Sequence, residues 1–189
     1  MSRQARKYRS LEHFPVVKRT VEYQEEQHRW YALYTRSRHE RIVASNLTDK
    51  GYPVCFPSYR TQRKRVDRIV EIELPLFPGY IFCHFNATRR MPILTTPGVV
   101  EVIGAGKVPK PVEDHEIASL QSLICSGRPL QPWPFLRAGQ RIRVRAGSMS
   151  GALGILLQAK NQHRLVVSIT LLQRSVAVEI DQDYVEPVF

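Results

Sequence analysis

The residues best suited to chemistry form a basic segment from Arg60 to Arg68, which carries five positive charges and one negative charge. Arginine and lysine at this density bind phosphate groups through charge-assisted hydrogen bonds, an attraction that weakens steeply as salt is added. The segment joins two predicted strands. We therefore predict nucleic-acid contacts from four of its cations, with a solvated surface as the alternative for each: Arg60, Arg63, Lys64 and Arg65.

A second basic group lies at the start of the first predicted helix and consists of Arg36, Arg38, His39 and Arg41. Cations at a helix N-terminus oppose the helix dipole, at a cost of roughly a few tenths of a kcal/mol each. That local cost indicates another use for these side chains, although His39 could equally be an ordinary surface histidine.

Acidic residues near the basic segment raise the alternative of a metal-dependent nuclease, in which carboxylates hold divalent ions. The candidates are Glu40, Asp67, Glu71 and Glu73. Glu71 and Glu73 share a strand face, but acids two residues apart are typical of the polar side of a half-buried strand. The motifs GxxxxGK[ST], GxSxG and HExxH do not occur. We predict no enzymatic activity, no cofactor and no metal.

Composition points to a polyanionic partner. The chain has 189 residues and a net charge of +11, and charge of this size makes nucleic acid the first candidate, with a solubilising surface as the alternative. Three dispersed cysteines without a CxxC pair argue against a structural zinc site. No apolar run is long enough to span a bilayer, and the N-terminus lacks the apolar centre of a secretory signal. These features predict a cytoplasmic protein whose cysteines act as small hydrophobes.

Short strands and two helices are predicted over residues 30–126, after a flexible basic extension over residues 1–29. Ser37 and Glu40 have the spacing of a capping box, and Gly51 suits the end of that helix. A second helix is predicted over residues 113–124, with its apolar residues on one face. Strands are predicted at WYALY, 54–59, 68–74, 80–85 and TPGVVEVI.

Two prolines interrupt the aromatic stretch LPLFPGYIF over residues 74–82. Proline cannot donate to a sheet ladder, so one strand ends and the next is delayed, with Gly79 permitting a tight turn. The delay predicts that Phe77 lies outside the ladder and points outward beside Tyr34 and Phe82. The alternative is that Tyr80 and Phe82 alternate on a strand and at least one is core.

The C-terminal part of the chain reads as a small β-barrel over residues 139–189, after a proline-rich linker over residues 127–138. Glycines around one β-ribbon supply tight loops and close strand contacts. These glycines and the β-branched run VVSIT oppose a helical form of this region, so we expect a barrel at rest.

These motifs resemble a known family. WYALYTRSRHE, LPLFPGYIF and TTPGVVEVIG, in that order, are similar to the N-terminal domain of NusG-family transcription elongation factors, and GQRIRVRAGSMSGALGILL followed by LLQRSVAVEID is similar to their KOW domain. WYALYTRSRHE and LLQRSVAVEI look closer to the specialised paralogues of the UpxY, LoaP and RfaH type. The implied fold is α+β: an N-terminal (NGN) domain with an antiparallel four-stranded sheet flanked by helices, then a small all-β SH3-like KOW barrel.

The resemblance implies an antitermination factor, acting without chemistry, that bridges the DNA channel of RNA polymerase and suppresses pausing and termination, on a particular long operon. The implied contacts to the clamp helices of the largest polymerase subunit are Tyr34, Phe77, Pro78, Tyr80 and Phe82. Arg36, Arg38, His39 and Thr96 would lie near the non-template DNA strand. The KOW loop is Gly147, Ser148, Met149 and Gly151.

The KOW barrel would recruit a ribosomal protein, RNA or another factor, and the protein would be a monomer with no membrane partner. The alternative is a ribosome- or RNA-associated KOW-domain binding protein, since basic charge suits both functions.

Overall fold

The computed structural model describes residues 28–66, 68–133, 135, 139–159 and 162–188. The predicted extension therefore lies outside the described residues, apart from its last two. Within the described ranges no helix is both long and apolar enough to cross a bilayer. The elements are β1 His28–Thr35, α1 Glu40–Asp49, β2 Val54–Cys55, β3 Ser58–Arg65, β4 Arg68–Pro75, β5 Tyr80–Asn86, α2 Met91–Leu94, β6 Val99–Val102, β7 Gly104–Ala105, β8 Val108–Pro109, α3 Asp114–Cys125, β9 Leu130–Trp133, β10 Gln140–Val144, β11 Leu153–Ala159, β12 Gln162–Ile169, β13 Arg174–Glu179 and β14 Val185–Pro187.

An antiparallel four-stranded sheet in the order β2-β5-β1-β6 organises the N-terminal domain, as predicted. Both of its faces are covered, because alternate residues of β1 and β5 are apolar on each side. Val43 and Leu47 of α1 pack with Leu33 on one face. Ile117 and Leu120 of α3 belong to the cluster on the other face. The predicted mixed α+β class is thereby confirmed.

The predicted capping box at the start of α1 is wrong. The helix begins at Glu40, its N-cap is His39, and no side chain caps it. Arg38 has a φ of 63°, which turns the chain before the helix. The Glu40 carboxylate instead accepts a hydrogen bond from the backbone N–H of Gly79, at 2.9 Å. The Glu40 side chain therefore bonds to a residue distant in sequence and not to the start of its own helix.

The strand predicted over residues 54–59 is split in two. Val54 and Cys55 pair with β5 in the central sheet, whereas Ser58 begins β3, whose partner is β4. Phe56 and Pro57 separate the two pieces, and Pro57 cannot donate to a ladder. The basic segment therefore belongs to a two-stranded ribbon outside the central sheet.

The C-terminal strands form a six-stranded antiparallel sheet in the order β14-β10-β11-β12-β13-β9, which we call the β-domain. Its strand conformation agrees with the predicted preference against helix. One edge strand, β9, lies inside the proline-rich stretch predicted as a linker, so that stretch is not wholly a linker. Pro132 is tolerated there because an edge strand leaves one side of its backbone unpaired.

Two of the cysteines behave as the predicted small hydrophobes. Cys55 and Cys83 are buried, and burial raises the pKa of each thiol to about 12, so both stay protonated at neutral pH. Cys125, at the end of α3, is exposed and departs from the expectation.

Candidate functional surfaces

The predicted aromatic patch comprises Tyr34, Phe77, Pro78, Tyr80 and Phe82. Strands β1 and β5 place Tyr34 directly opposite Tyr80, and their ring centroids are 5.4 Å apart. Tyr34 is 39% exposed and Tyr80 is half-buried. Pro78 is exposed in the turn before β5. The surface of the patch is therefore made of these three residues.

The prediction of an outward-facing Phe77 is wrong. Its side chain is 1% exposed and meets the Phe82 ring edge-on, with the ring centroids 5.6 Å apart. The backbone N–H of Tyr80 donates to the Phe77 carbonyl at 2.9 Å and closes the predicted tight turn before β5, but this turn leaves Phe77 facing inward. Burying two rings edge to edge is favourable. Phe82 is also buried, so the alternative that it is core is correct.

Glycine is required at the turn that presents Pro78. Gly79 has a φ of 85°, and a Cβ there would lie 3.2 Å from Cε2 of Tyr34. Its carbonyl accepts the backbone N–H of Thr35 and its own N–H donates to Glu40. Glu40 thus positions the patch, a role that its sequence context did not reveal, because the partner lies 39 residues away.

The β-domain covers part of the patch. Arg174, the first residue of β13, donates from Nη1 to the Pro78 carbonyl at 3.3 Å. The same guanidinium lies 5.1 Å from the centroid of the Tyr80 ring, a cation–π geometry. One arginine of the β-domain therefore contacts two residues of the patch.

Helix α3 joins the two domains. Its buried face contains two polar residues, and each accepts a hydrogen bond from β-domain backbone. The Glu116 carboxylate accepts the N–H of Thr170 at 3.1 and 3.2 Å, and the Ser119 hydroxyl accepts the N–H of Leu153 at 2.9 Å. Apolar residues of α3 and the β-domain also form one continuous core cluster. The two predicted domains therefore share buried apolar surface.

The three predicted DNA contacts before α1 are exposed and share one loop: Arg36, Arg38 and His39. The loop is tied to the turn before β6, since the N–H of Arg36 donates to the Gly98 carbonyl at 2.8 Å. A Cβ on Gly98 would lie 2.7 Å from Cγ2 of Val43, so glycine lets the turn approach α1 closely. Nδ1 of His39 lies 3.0 Å from the Ser37 carbonyl.

Thr96 lies beside this loop but is not available for the predicted DNA contact. Its side chain is buried, and its hydroxyl donates to the Pro92 carbonyl at 2.9 Å. The same oxygen accepts Nζ of Lys50 at 2.7 Å. The buried hydroxyl therefore donates and accepts within the protein, next to the end of α2.

The basic hairpin, residues 58–75, consists of β3 and β4 in unbroken register from Ser58 opposite Pro75 to Arg65 opposite Arg68. Arg60, Arg63 and Lys64 are exposed, as the prediction of phosphate contacts requires. Arg60 lies 4.0 Å from Glu71. The Arg65 side chain and Asp67 lie outside the described residues.

Two of the four acids considered for a nuclease site, Glu71 and Glu73, are paired with arginines. Glu73 accepts hydrogen bonds from Ser58 and Arg41, and the Ser58 bond is the main reason that its pKa is lowered. Arg41 also lies 5.8 Å from the centroid of the Phe56 ring. Within the described ranges, no three His, Cys, Asp or Glu residues form a group that could hold a metal ion.

The predicted KOW loop connects β10 to β11. Gly147 and Gly151 have φ values of 84° and 85°, which suit glycine. Ser148 is exposed, whereas Met149 is buried in the β-domain core. Met149 therefore anchors the loop from within, and the exposed part of the loop is made by the other three residues.

Comparisons with known proteins agree on one family. A protein-family model described as NusG, transcription termination factor nusG, matches residues 28–121 of this chain. The transcription termination/antitermination protein NusG of Lactococcus lactis is 25% identical over 174 residues, covering 84% of this chain and 92% of the relative. The NusG of Thermus thermophilus is 26% identical over 173 residues, covering 80% and 94%. A solved structure described as domain interaction in Thermotoga maritima NusG shares the fold, with a TM-score of 0.52 and 20% identity, covering 86% and 98% of the two chains.

Proposed function

Residues 28–121 of this chain belong to the NusG family, and from that premise we propose that the protein is a transcription elongation and antitermination factor. It binds RNA polymerase through the aromatic patch and suppresses pausing and termination without chemistry of its own. The observation that carries the proposal is the pair formed by Tyr34 and Tyr80 beside the exposed Pro78. Apolar residues grouped at a surface suit a protein partner.

The partner surface is the pair of clamp helices in the largest polymerase subunit. Tyr34, Pro78 and Tyr80 make the direct contacts, while Phe77 and Phe82 support them from beneath. A factor that binds the closed clamp better than the open clamp shifts their equilibrium, and about 1.4 kcal/mol of preference shifts it tenfold.

Polymerase binding competes with the β-domain for this surface. Arg174 contacts Pro78 and Tyr80 in the arrangement observed, so clamp helices reach the whole patch after the β-domain has moved. The apparent affinity then falls with the fraction of molecules that are open. A released β-domain is free to recruit its own partner: a ribosomal protein, RNA or another factor.

Nucleic-acid contacts complete the bridge across the DNA channel. The loop with Arg36, Arg38 and His39 binds the non-template DNA strand, and the basic hairpin contributes Arg60, Arg63 and Lys64. The exposure of these cations supports this part. The motifs WYALYTRSRHE and LLQRSVAVEI favour a specialised paralogue that serves a particular long operon. Such a factor works in the cytoplasm, as a monomer associated with the nucleoid through polymerase.

A pull-down with RNA polymerase tests the proposal. Tyr34→Ala should reduce retention about tenfold, since a surface aromatic in a contact commonly carries more than 1 kcal/mol. Tyr184→Ala is the matched control, because Tyr184 is 42% exposed but lies in the β-domain. Retention on ribosomes with no binding to polymerase would favour a ribosome-associated protein, and equal binding by wild type and Tyr34→Ala would remove the patch from the mechanism.

A further inference from the structure

The row of side chains across the aromatic patch continues beyond the two tyrosines to an acid, Glu101. Strand β6 places Glu101 directly opposite Tyr34, and β5 places Tyr80 opposite Tyr34 on the other side. Directly opposed residues of antiparallel strands point to the same face of the sheet, with their Cβ atoms about 5 Å apart. Glu101 is exposed, so its carboxylate lies beside Tyr34 on the face that carries the patch.

The Glu101 carboxylate is available to a partner. The glutamates that pair with arginines are Glu71, Glu73 and Glu179, and none of the described cations forms an ion pair with Glu101. Strand β6 is an edge of the central sheet, which leaves one side of Glu101 without a neighbouring strand. A carboxylate in this position can accept a charge-assisted hydrogen bond from an arginine or a lysine.

The group that covers the other end of the row is a cation. Arg174 donates to the Pro78 carbonyl, and its guanidinium lies over the Tyr80 ring. The faces of aromatic rings carry negative partial charge and attract cations. The patch therefore already holds a guanidinium, through a carbonyl oxygen and a ring face. A partner that displaces Arg174 restores both interactions only if it brings a cation of its own.

A second carboxylate lies behind the patch. Glu40 is 6% exposed and accepts the N–H of Gly79, and no ion pair with a cation neutralises it in the described part of the chain. The exposed arginines of the nearby loop, Arg36 and Arg38, pair with neither carboxylate. The rings, the carbonyl and the two carboxylates therefore all favour positive charge in a partner, although the chain as a whole carries a net charge of +11.

We propose that the patch recognises a basic face of the clamp helices and that Glu101 selects it. One basic side chain of the partner takes the place that Arg174 leaves at Tyr80, and a second pairs with Glu101. The two positions are two strand spacings apart, about 10 Å, which is the rise of about seven residues of helix. This inference rests on the polymerase contact of the proposed function, and it adds the charge of the surface that is bound.

Biolayer interferometry with immobilised RNA polymerase and the full chain tests the proposal over a salt series. Glu101→Lys should weaken binding about tenfold at low salt, because it sets like charges against each other. Glu101→Gln should weaken binding about two- to fivefold, and both losses should shrink as salt screens the charges. Glu186→Lys is the matched control and should bind as the wild type does, since Glu186 is an exposed glutamate on the edge strand β14, outside the patch.

The effect of these variants on the cover has the opposite sign. Glu101→Lys adds a charge that repels Arg174, and Glu101→Gln removes one that attracts it, so both favour an open β-domain. Because opening raises the apparent affinity for polymerase, weaker binding reports on the polymerase contact itself. An unchanged midpoint of thermal unfolding, expected for an exposed edge position, excludes damage to the fold.

Charge reversal on the partner supplies the second measurement. Each exposed arginine and lysine of the clamp helices is replaced in turn by glutamate, and one replacement should weaken binding of the wild type but restore binding of Glu101→Lys. Restoration by none of them overturns the pairing. Wild-type affinity in Glu101→Lys, with Tyr34→Ala still weakened, overturns the role of Glu101 and leaves the patch in place. Wild-type affinity in Tyr34→Ala overturns the polymerase contact of the proposed function, and this inference with it.

Discussion

The aromatic patch and the basic hairpin are both candidate binding surfaces, but the protein holds them in opposite ways. The patch is supported by buried rings and partly covered by Arg174. The hairpin projects as a two-stranded ribbon with exposed cations. Water solvates charged side chains well, whereas exposed rings invite unwanted association. The apolar surface is therefore partly covered by the β-domain, whereas the charged surface is open to solvent.

Changes beneath the patch should have the largest effect on stability. Phe77→Ala removes a buried ring and should lower the free energy of unfolding by about 3–5 kcal/mol. Arg63→Ala on the hairpin is the matched change at an exposed site and should stay within about 0.5 kcal/mol. Urea denaturation measures both. A small loss for Phe77→Ala would mean that the ring is exposed in solution, as the sequence had suggested.

The cover over the patch should depend on the two polar residues of α3. Glu116→Ala/Ser119→Ala leaves the backbone N–H groups of Thr170 and Leu153 without acceptors, at a cost of about 1–3 kcal/mol each. The β-domain should then separate from α3, and small-angle scattering should show a larger radius of gyration. Asp114→Ala, an exposed change on the same helix, should leave the radius unchanged. An unchanged radius for the double variant would show that the apolar cluster alone holds the domains together.

Replacing Arg174 tests most directly whether the β-domain competes with polymerase for the patch. Arg174→Ala removes one hydrogen bond and one cation–π contact, which together should favour opening by about 1–2 kcal/mol. Because a larger open fraction raises the apparent affinity, polymerase should bind several-fold more tightly. Arg143→Ala, at an exposed arginine on β10, should bind as the wild type does. Weaker binding by Arg174→Ala would instead make Arg174 part of the polymerase contact.

The smallest effect should be the pH response at the base of the hairpin. The pKa of Glu73 is lowered in the folded protein, so its contribution to stability is present above the ordinary carboxyl value and is lost as pH falls through the lowered value. Glu73 is partly exposed, which limits the contribution to a fraction of a kcal/mol. Amide exchange in β3 and β4 should accelerate in acid, and Glu73→Gln should remove that pH dependence. Acceleration that persists in Glu73→Gln would assign the response to another group.

Local patterns predicted much of the fold. Alternation predicted β4, the apolar face over residues 113–124 predicted α3, and Gly51 and Gly79 stand at positive φ as a helix end and a tight turn require. The exposed cations of the hairpin also followed from its polar sequence. These features depend on neighbours within a few residues, which the sequence displays directly.

The errors have a common physical cause. Phe77 and Thr96 were predicted as surface contacts, and each is buried. Their sequence neighbours are turn residues, which usually lie at the surface, but tertiary contacts hold both side chains in the interior. The split of the strand at Phe56 and Pro57 has the same origin, because β2 and β3 pair with different partners.

Residue types over short spans are enough to predict most of the longer strands, the positions of α1 and α3, the positive φ of Gly51 and Gly79, the basic character of the hairpin and the family motifs. Only the tertiary structure decided that Glu40 holds the Gly79 turn and that Arg174 covers Tyr80. It also decided that α3 joins the two domains through Glu116 and Ser119. These bonds link residues 34 to 96 positions apart, and no local pattern encodes which distant groups will meet when apolar surface is buried.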